Sequence, residues 1–198
     1  MTKTILISVV VGLVLVGGVL YFVLGTPMKP SLASVSVSEA PWPAEIDYLK
    51  ARLAAINLPA LSEEGTALHI HQHLEIFVHG KAVPVPSGIG IHEKPPQFIS
   101  PLHVHDDTGI VHIESPTVEK FTLGQLFDVW GVRLDSACIG AYCTDGTNEL
   151  AVYVNGEKYT GDPRELELTA HAEIVIAYGT PSELPTPIPA TYTFPNGL

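Results

Sequence analysis

Residues 67–80, ALHIHQHLEIFVHG, leave the chain few conformations to choose from. His69, His71, His73, Glu75, Phe77 and His79 recur at steps of two, while Ile70, Leu74, Ile76 and Val78 hold the alternate positions, interrupted only by Gln72. A period of two is that of a β-strand, whose successive side chains point to opposite faces. Such a strand buries one face in a core and carries imidazoles on the other. Residues 101–106, PLHVHD, repeat the pattern, with His103 and His105 on one face and Leu102 and Val104 on the other. Eight of the nine histidines fall within residues 69–112, and this clustering is the main functional clue.

A His-x-His pair on a strand sets two Cα atoms about 6.5–7 Å apart, two rises of ~3.3 Å. Both rings can then reach one ion at ~2.0–2.1 Å. Two such pairs on adjacent strands predict a site for one transition metal ion, held by His71, His73, His103 and His105, with His112 as the next candidate. Thioethers come only from Met1 and Met28, and Cys138 and Cys143 are too few for a four-cysteine zinc site. Imidazole ligation leaves Zn(II), Cu(II), Ni(II) and Fe(II), with zinc and copper first. Glu75 shares the phase of the first trio and can orient a histidine or act as a general base; Asp106 follows the second pair and can ligate or orient a histidine. His69 stands where the strand begins and is the weakest of its trio. His79, His92 and His171, taken singly, read as surface or hydrogen-bonding residues.

The formal net charge of −11 argues against nucleic-acid binding, which needs a basic footprint. Residues 5–24 form a stretch of 20 residues without a charge, long enough to cross a bilayer. The stretch exceeds a usual signal-peptide core, and no clear small-residue cleavage site follows it. It predicts a single-pass anchor in the cell membrane, residues 1–4 being cytoplasmic and the rest of the chain outside; cleavage would instead make the protein secreted. Residues 25–43, rich in Ser, Pro and Ala, read as a linker, residues 44–180 as an extracytoplasmic histidine-rich domain, and residues 181–198, with five prolines, as an extended surface tail or disorder.

Within the domain, Ile46, Leu49, Leu53 and Ile56 space a short amphipathic helix that ends near Asn57. His79-Gly80 marks a turn into residues 81–86, whose prolines place them at a sheet edge. Residues 98–105 and 110–114 read as strands joined by Asp106-Asp107-Thr108-Gly109, with His112 on the second arm. Thr122 and Gln125 match a capping box, and Gly131 a helix stop; Leu126, Phe127 and Trp130 form an apolar face suited to a core. Asn155-Gly156 predicts a hairpin turn, and residues 166–168 and 174–178 a last pair of strands. The expected fold is α+β and mostly β: antiparallel sheets with one or two short helices, after an N-terminal transmembrane helix. Sandwich, small barrel and β-grasp sheet all remain open. Outside the cytoplasm, Cys138 and Cys143 are expected to form a disulfide.

The run from LPALSEEGTALHIHQHLEIFVHGKAVPVPSGIGI through SPLHVHDDTGIVHIESP, FTLGQLFDVWGVRL, CIGAYC, VNGEKYTGDPRELEL and HAEIVIAYG resembles a family of small exported or membrane-anchored bacterial proteins marked by HxHxH and LHxHD motifs. The resemblance covers about residues 58–179. It implies one exported domain behind an anchor and no particular reaction. Gly65 followed by His71-x-His73 is also similar to the start of a cupin metal motif, but the acidic position of that motif falls on Phe77 or Val78, and no second motif follows. The functional expectation is an anchored domain that binds a transition metal for sensing, buffering or delivery. Its alternatives are a metal-dependent enzyme using the same site, or an interaction domain with a pH-responsive histidine face and a protein partner.

Overall fold

The computed structural model describes residues 35–198. The apolar stretch at 5–24 and its expected bilayer crossing lie outside the described residues; among those described, no helix is long and apolar enough to cross a membrane.

The period-two stretch forms one long strand, β1 (Leu68–Val78). It runs through the middle of a seven-stranded sheet. In sequence order the remaining strands are β2 (Lys81–Val83), β3 (Ile91–His92), β4 (Phe98–Ile99), β5 (Leu102–His103), β6 (Ile110–Ser115), β7 (Cys138–Ile139), β8 (Tyr142–Cys143), β9 (Glu149–Val154), β10 (Glu157–Tyr159) and β11 (Glu173–Gly179). The sheet order is β10-β9-β11-β1-β6-β5, with β2 also paired to β1. The expected antiparallel pairing holds for every neighbour except one: β11 lies parallel to β1, so the sheet is mixed. More than ninety residues separate the two strands, and no local turn signal could have set their direction.

Local signals elsewhere act as expected. His79 and Gly80 both adopt positive φ, 50° and 72°, the primed turn that matches strand twist, and β2 leaves it at the sheet edge. Asn155 and Gly156 do the same between β9 and β10. The expected single strand at 98–105 is broken. Phe98–Ile99 pairs with Ile91–His92 in a separate two-stranded ribbon, and Leu102–His103 joins the main sheet beside β6. Pro101, which cannot donate to a ladder, stands at the break. Residues 166–168 form no strand; Glu167 makes only an isolated bridge to Thr122, after a 3₁₀ turn at Pro163–Glu165.

Among the described residues, two helices pack on the core. α1 (Leu49–Ala55) carries Leu49 and Leu53 inward, and α2 (Leu123–Trp130) carries Leu123, Leu126, Phe127 and Trp130. The α2 capping box is complete: Gln125 N donates to Thr122 Oγ1 and Thr122 N to Gln125 Oε1, and Gly131 closes the helix in the left-handed region. Buried Arg52 of α1 donates through Nε and Nη2 to Val129 O near the α2 C-terminus, which favours a cation there. Residues at the linker's end are pinned rather than loose: Trp42 is buried edge-on against Trp130, and Ser36 bridges Val132. Cys138 and Cys143 form a disulfide across β7 and β8.

The alternation in β1 divides the sheet. Leu74, Ile76 and Val78 join Val111, Ile113, Val152, Ile174 and Ile176 in the core. His69, His71, His73, Glu75 and Phe77 face the other side. The tail, without strand or helix, comes back over that side: Tyr192 stacks on His73 at 3.7 Å and Phe194 packs on His171 at 4.8 Å.

Candidate metal centre

Strand register, rather than sequence proximity, assembles the histidines. His71 of β1 stands opposite His112 of β6, and His112 stands opposite His103 of β5. Three imidazoles therefore form a row across three neighbouring strands, with ring centroids 4.6 Å apart for His71–His112 and 5.3 Å for the stacked His103–His112. One step along, His69 stands opposite Glu114. His105, just past the end of β5, folds back with its ring 4.6 Å from His103 and 4.7 Å from His112.

The nitrogens converge in pairs. His69 Nε2 lies 3.2 Å from His71 Nε2, and His103 Nε2 lies 3.0 Å from His105 Nε2. Two nitrogens bound to one tetrahedral ion at ~2.05 Å sit about 3.3 Å apart, so both spacings suit chelation. Glu114 Oε1 joins the two sides, 3.2 Å from His69 Nε2 and 3.3 Å from His112 Nδ1. His103, His105, His112 and Glu114 form one group whose ligand atoms all lie within 4.8 Å of one another; His69, His71 and Glu114 form another. These clusters can hold a metal ion.

Burial prepares the donors. His103 Nδ1 donates to Ser100 O at 2.9 Å, which leaves the lone pair on Nε2, facing His105. Desolvation, helped by His105, His112 and His71, pushes the His103 pKa down to about 3. Desolvation and the neighbouring His105 and His71 bring His112 to about 4, and burial with His69 lowers His71. These rings are neutral at pH 7 and available as ligands. Glu114 moves the other way: burial, then Glu64, raises it to about 7. Glu64 Oε1 also lies 3.4 Å from His105 Nε2. Its neighbour Gly65 explains its position: a Cβ there would come within 2.1 Å of the Ser115 backbone, so only glycine lets this segment lie so close on β6.

His73 takes a different part. It lies in register with Glu173 of β11, and its Nδ1 stands 2.8 Å from Glu173 Oε2 while its Nε2 donates to Thr108 O at 2.9 Å. Gly109 permits this approach, since a Cβ there would lie 3.0 Å from His73 Nε2. Burial alone would lower the His73 pKa, but Glu173 and Thr108 O outweigh it and the net shift is upward. His73, Glu75 and Glu173 make a third metal-capable group, separate from the row of histidines, whose members already satisfy one another.

The structure thus brings His71, His103, His105 and His112 together and sets His73 apart with Glu75. Asp106 points into its own turn, accepting from Thr108 N at 3.0 Å and from the Thr108 hydroxyl. His79 pairs with Glu183, and His92 stacks on Phe98. His171 approaches the cluster by its backbone, donating N–H to His71 O. Glu114 was within reach of sequence reasoning, because it follows His112 at the strand period of two. Glu64 carried no such signal, since a loop brings it in. No family model, curated protein or solved structure matches this chain.

Proposed function

We propose that this protein is an extracytoplasmic metal-binding domain, anchored by residues 5–24, that holds a transition metal through His71, His103, His105 and His112 with Glu114, and that sensing, buffering or delivering that metal is its role. The observation that carries the reading is the row His71–His112–His103, which His69, His105 and Glu114 complete. Five imidazoles and a buried carboxylate face one another here, and burial with Glu64 makes Glu114 resist ionisation, so a cation among them would stabilise the set. Imidazole-rich ligation favours Zn(II) or Cu(II). The disulfide supports an oxidising compartment, as does the resemblance to exported proteins. A pH-responsive face is the weaker alternative, since His103 and His112, at about 3 and about 4, stay neutral throughout the physiological range.

The test is the metal content of the full chain, purified without an affinity histidine tag and dialysed against trace metals, beside the His71→Ala/His103→Ala variant. Bound metal in the parent and none in the variant is expected. No bound metal, together with no micromolar uptake of Zn(II), Cu(II) or Ni(II), would overturn the reading. For the anchor, the chain is expected to stay with membranes through an alkaline wash and to be cut by protease added outside the cell. Release by the wash would overturn the anchor, and recovery of the chain from the medium would make it a secreted protein.

A further inference from the structure

The cluster contains more ligands than one ion can use. A tetrahedral ion takes about four donors. Here five imidazoles and Glu114 divide by geometry into two groups with one member in common, Glu114, while Glu64 stands 3.4 Å from His105. We infer that the centre is dinuclear: one ion held by His103, His105 and His112, a second by His69 and His71, with the Glu114 carboxylate bridging them. This inference rests on the metal reading above and goes beyond it in stoichiometry and in what the second ion can do.

The two positions differ in kind. The first has three imidazoles plus the bridge, a full tetrahedral set, and His103 and His112 are buried. Such closed sites hold their ion without turning it over to other ligands. The second has two imidazoles plus the bridge, one donor short. His69 is exposed, and together with His71 it borders a cleft of about 360 Å³ that His171 also lines. An ion there keeps an open coordination position that faces solvent, the arrangement that lets a metal take up water or a small anionic or carbonyl ligand. The bridging role suits the placement of Glu114, whose Oε1 lies almost equally distant from His69 Nε2 and His112 Nδ1, at 3.2 and 3.3 Å. Two cations also relieve the crowding of Glu114 against Glu64, which no single neutral ring does.

The experiment is a Zn(II) titration of the metal-free full chain, with bound zinc counted by elemental analysis, on the parent and two variants. His69→Ala and His105→Ala both alter half-exposed side chains at opposite ends of the cluster, so the fold should survive each. The parent should bind two equivalents. His69→Ala should keep one tight equivalent and weaken the other by at least ~100-fold, more than is typical for the loss of an outer-shell partner. His105→Ala should weaken the complementary ion. Loading with Cu(II) should then give the half-field electron paramagnetic resonance line of two coupled spins in the parent and not in either variant. One equivalent in the parent, or two equivalents untouched by His69→Ala, would overturn the dinuclear centre while leaving metal binding intact. Full loading with two uncoupled spins would overturn the Glu114 bridge. No zinc at all would remove the metal reading itself.

Discussion

His71 and His73 are neighbours on one face of one strand, yet they end in opposite states. His71 stands among other imidazoles, and burial with the nearby rings lowers its pKa. His73 stands between a buried carboxylate and a backbone carbonyl, under the Tyr192 ring, and its pKa is raised. Solvent exposure is equally low for both, so desolvation does not separate them. The partner strand does: β6 offers His71 another histidine, while β11 offers His73 the Glu173 carboxylate. One end of the strand gathers imidazoles, and the next position closes on itself as an ion pair.

The contrast is broken most severely from the His73 side. Glu173→Gln leaves His73 buried without its counter-charge, and unpairing a buried ion pair costs about 3 kcal/mol or more. Urea unfolding of the metal-free chain should show that loss, while zinc stoichiometry stays as in the parent; a change below about 1 kcal/mol would mean that the pair is not ionised. Metal acts on the other end. Zinc held at 100 times the Kd of the ion at His103, His105 and His112 should raise stability by about 2.7 kcal/mol through that ion, and His103→Ala should remove this share of the gain. Thermal shift with and without zinc decides it, and an equal gain in the variant would place the ion elsewhere.

The pH response of the metal-free chain should divide in the same way. His103 and His112 titrate at about 3 and about 4 when folded, against ~6.5 when unfolded. The unfolded chain therefore binds more protons in that window, and their contribution is lost as pH falls from ~6.5 towards about 4 and then about 3. His73 has the opposite sign: its stabilisation is complete below ~6.5 and is lost as pH rises through its raised folded value. Glu114, raised from 4.5 to about 7, also loses its contribution as pH rises over that interval. A melting series from acid to alkali should show His103→Gln flattening the acid limb and His73→Gln the alkaline limb; the reverse would exchange the roles given to the two ends of β1. The smallest effect is expected from Tyr192→Ala, which removes one stacked ring worth about 1 kcal/mol and should leave metal binding unchanged.

Much of the scaffold was legible in the residues. The period of two in residues 67–80 announced a strand with a histidine face, Thr122 and Gln125 announced a helix start, and Asn155-Gly156 a hairpin. These are local rules, obeyed within a few residues. The partition of the site was not legible. His71 and His73 look alike in the sequence, and Glu64 lies outside any strand pattern. Residues 98–105 read as one strand because His103 and His105 alternate with Leu102 and Val104 at its end, but the strand breaks at Pro101 and divides between two sheets.

By itself, then, the sequence determined which side chains share a face, because side-chain direction in a strand depends only on parity along the chain. Tertiary structure decided which of them touch. The parallel pairing of β11 with β1 joins residues a hundred positions apart and supplies Glu173 to His73, while the register of β6 and β5 supplies His112 and His103 to His71. Register is set by the summed burial of whole strands against the core, and a donor's protonation follows from the neighbour that register provides.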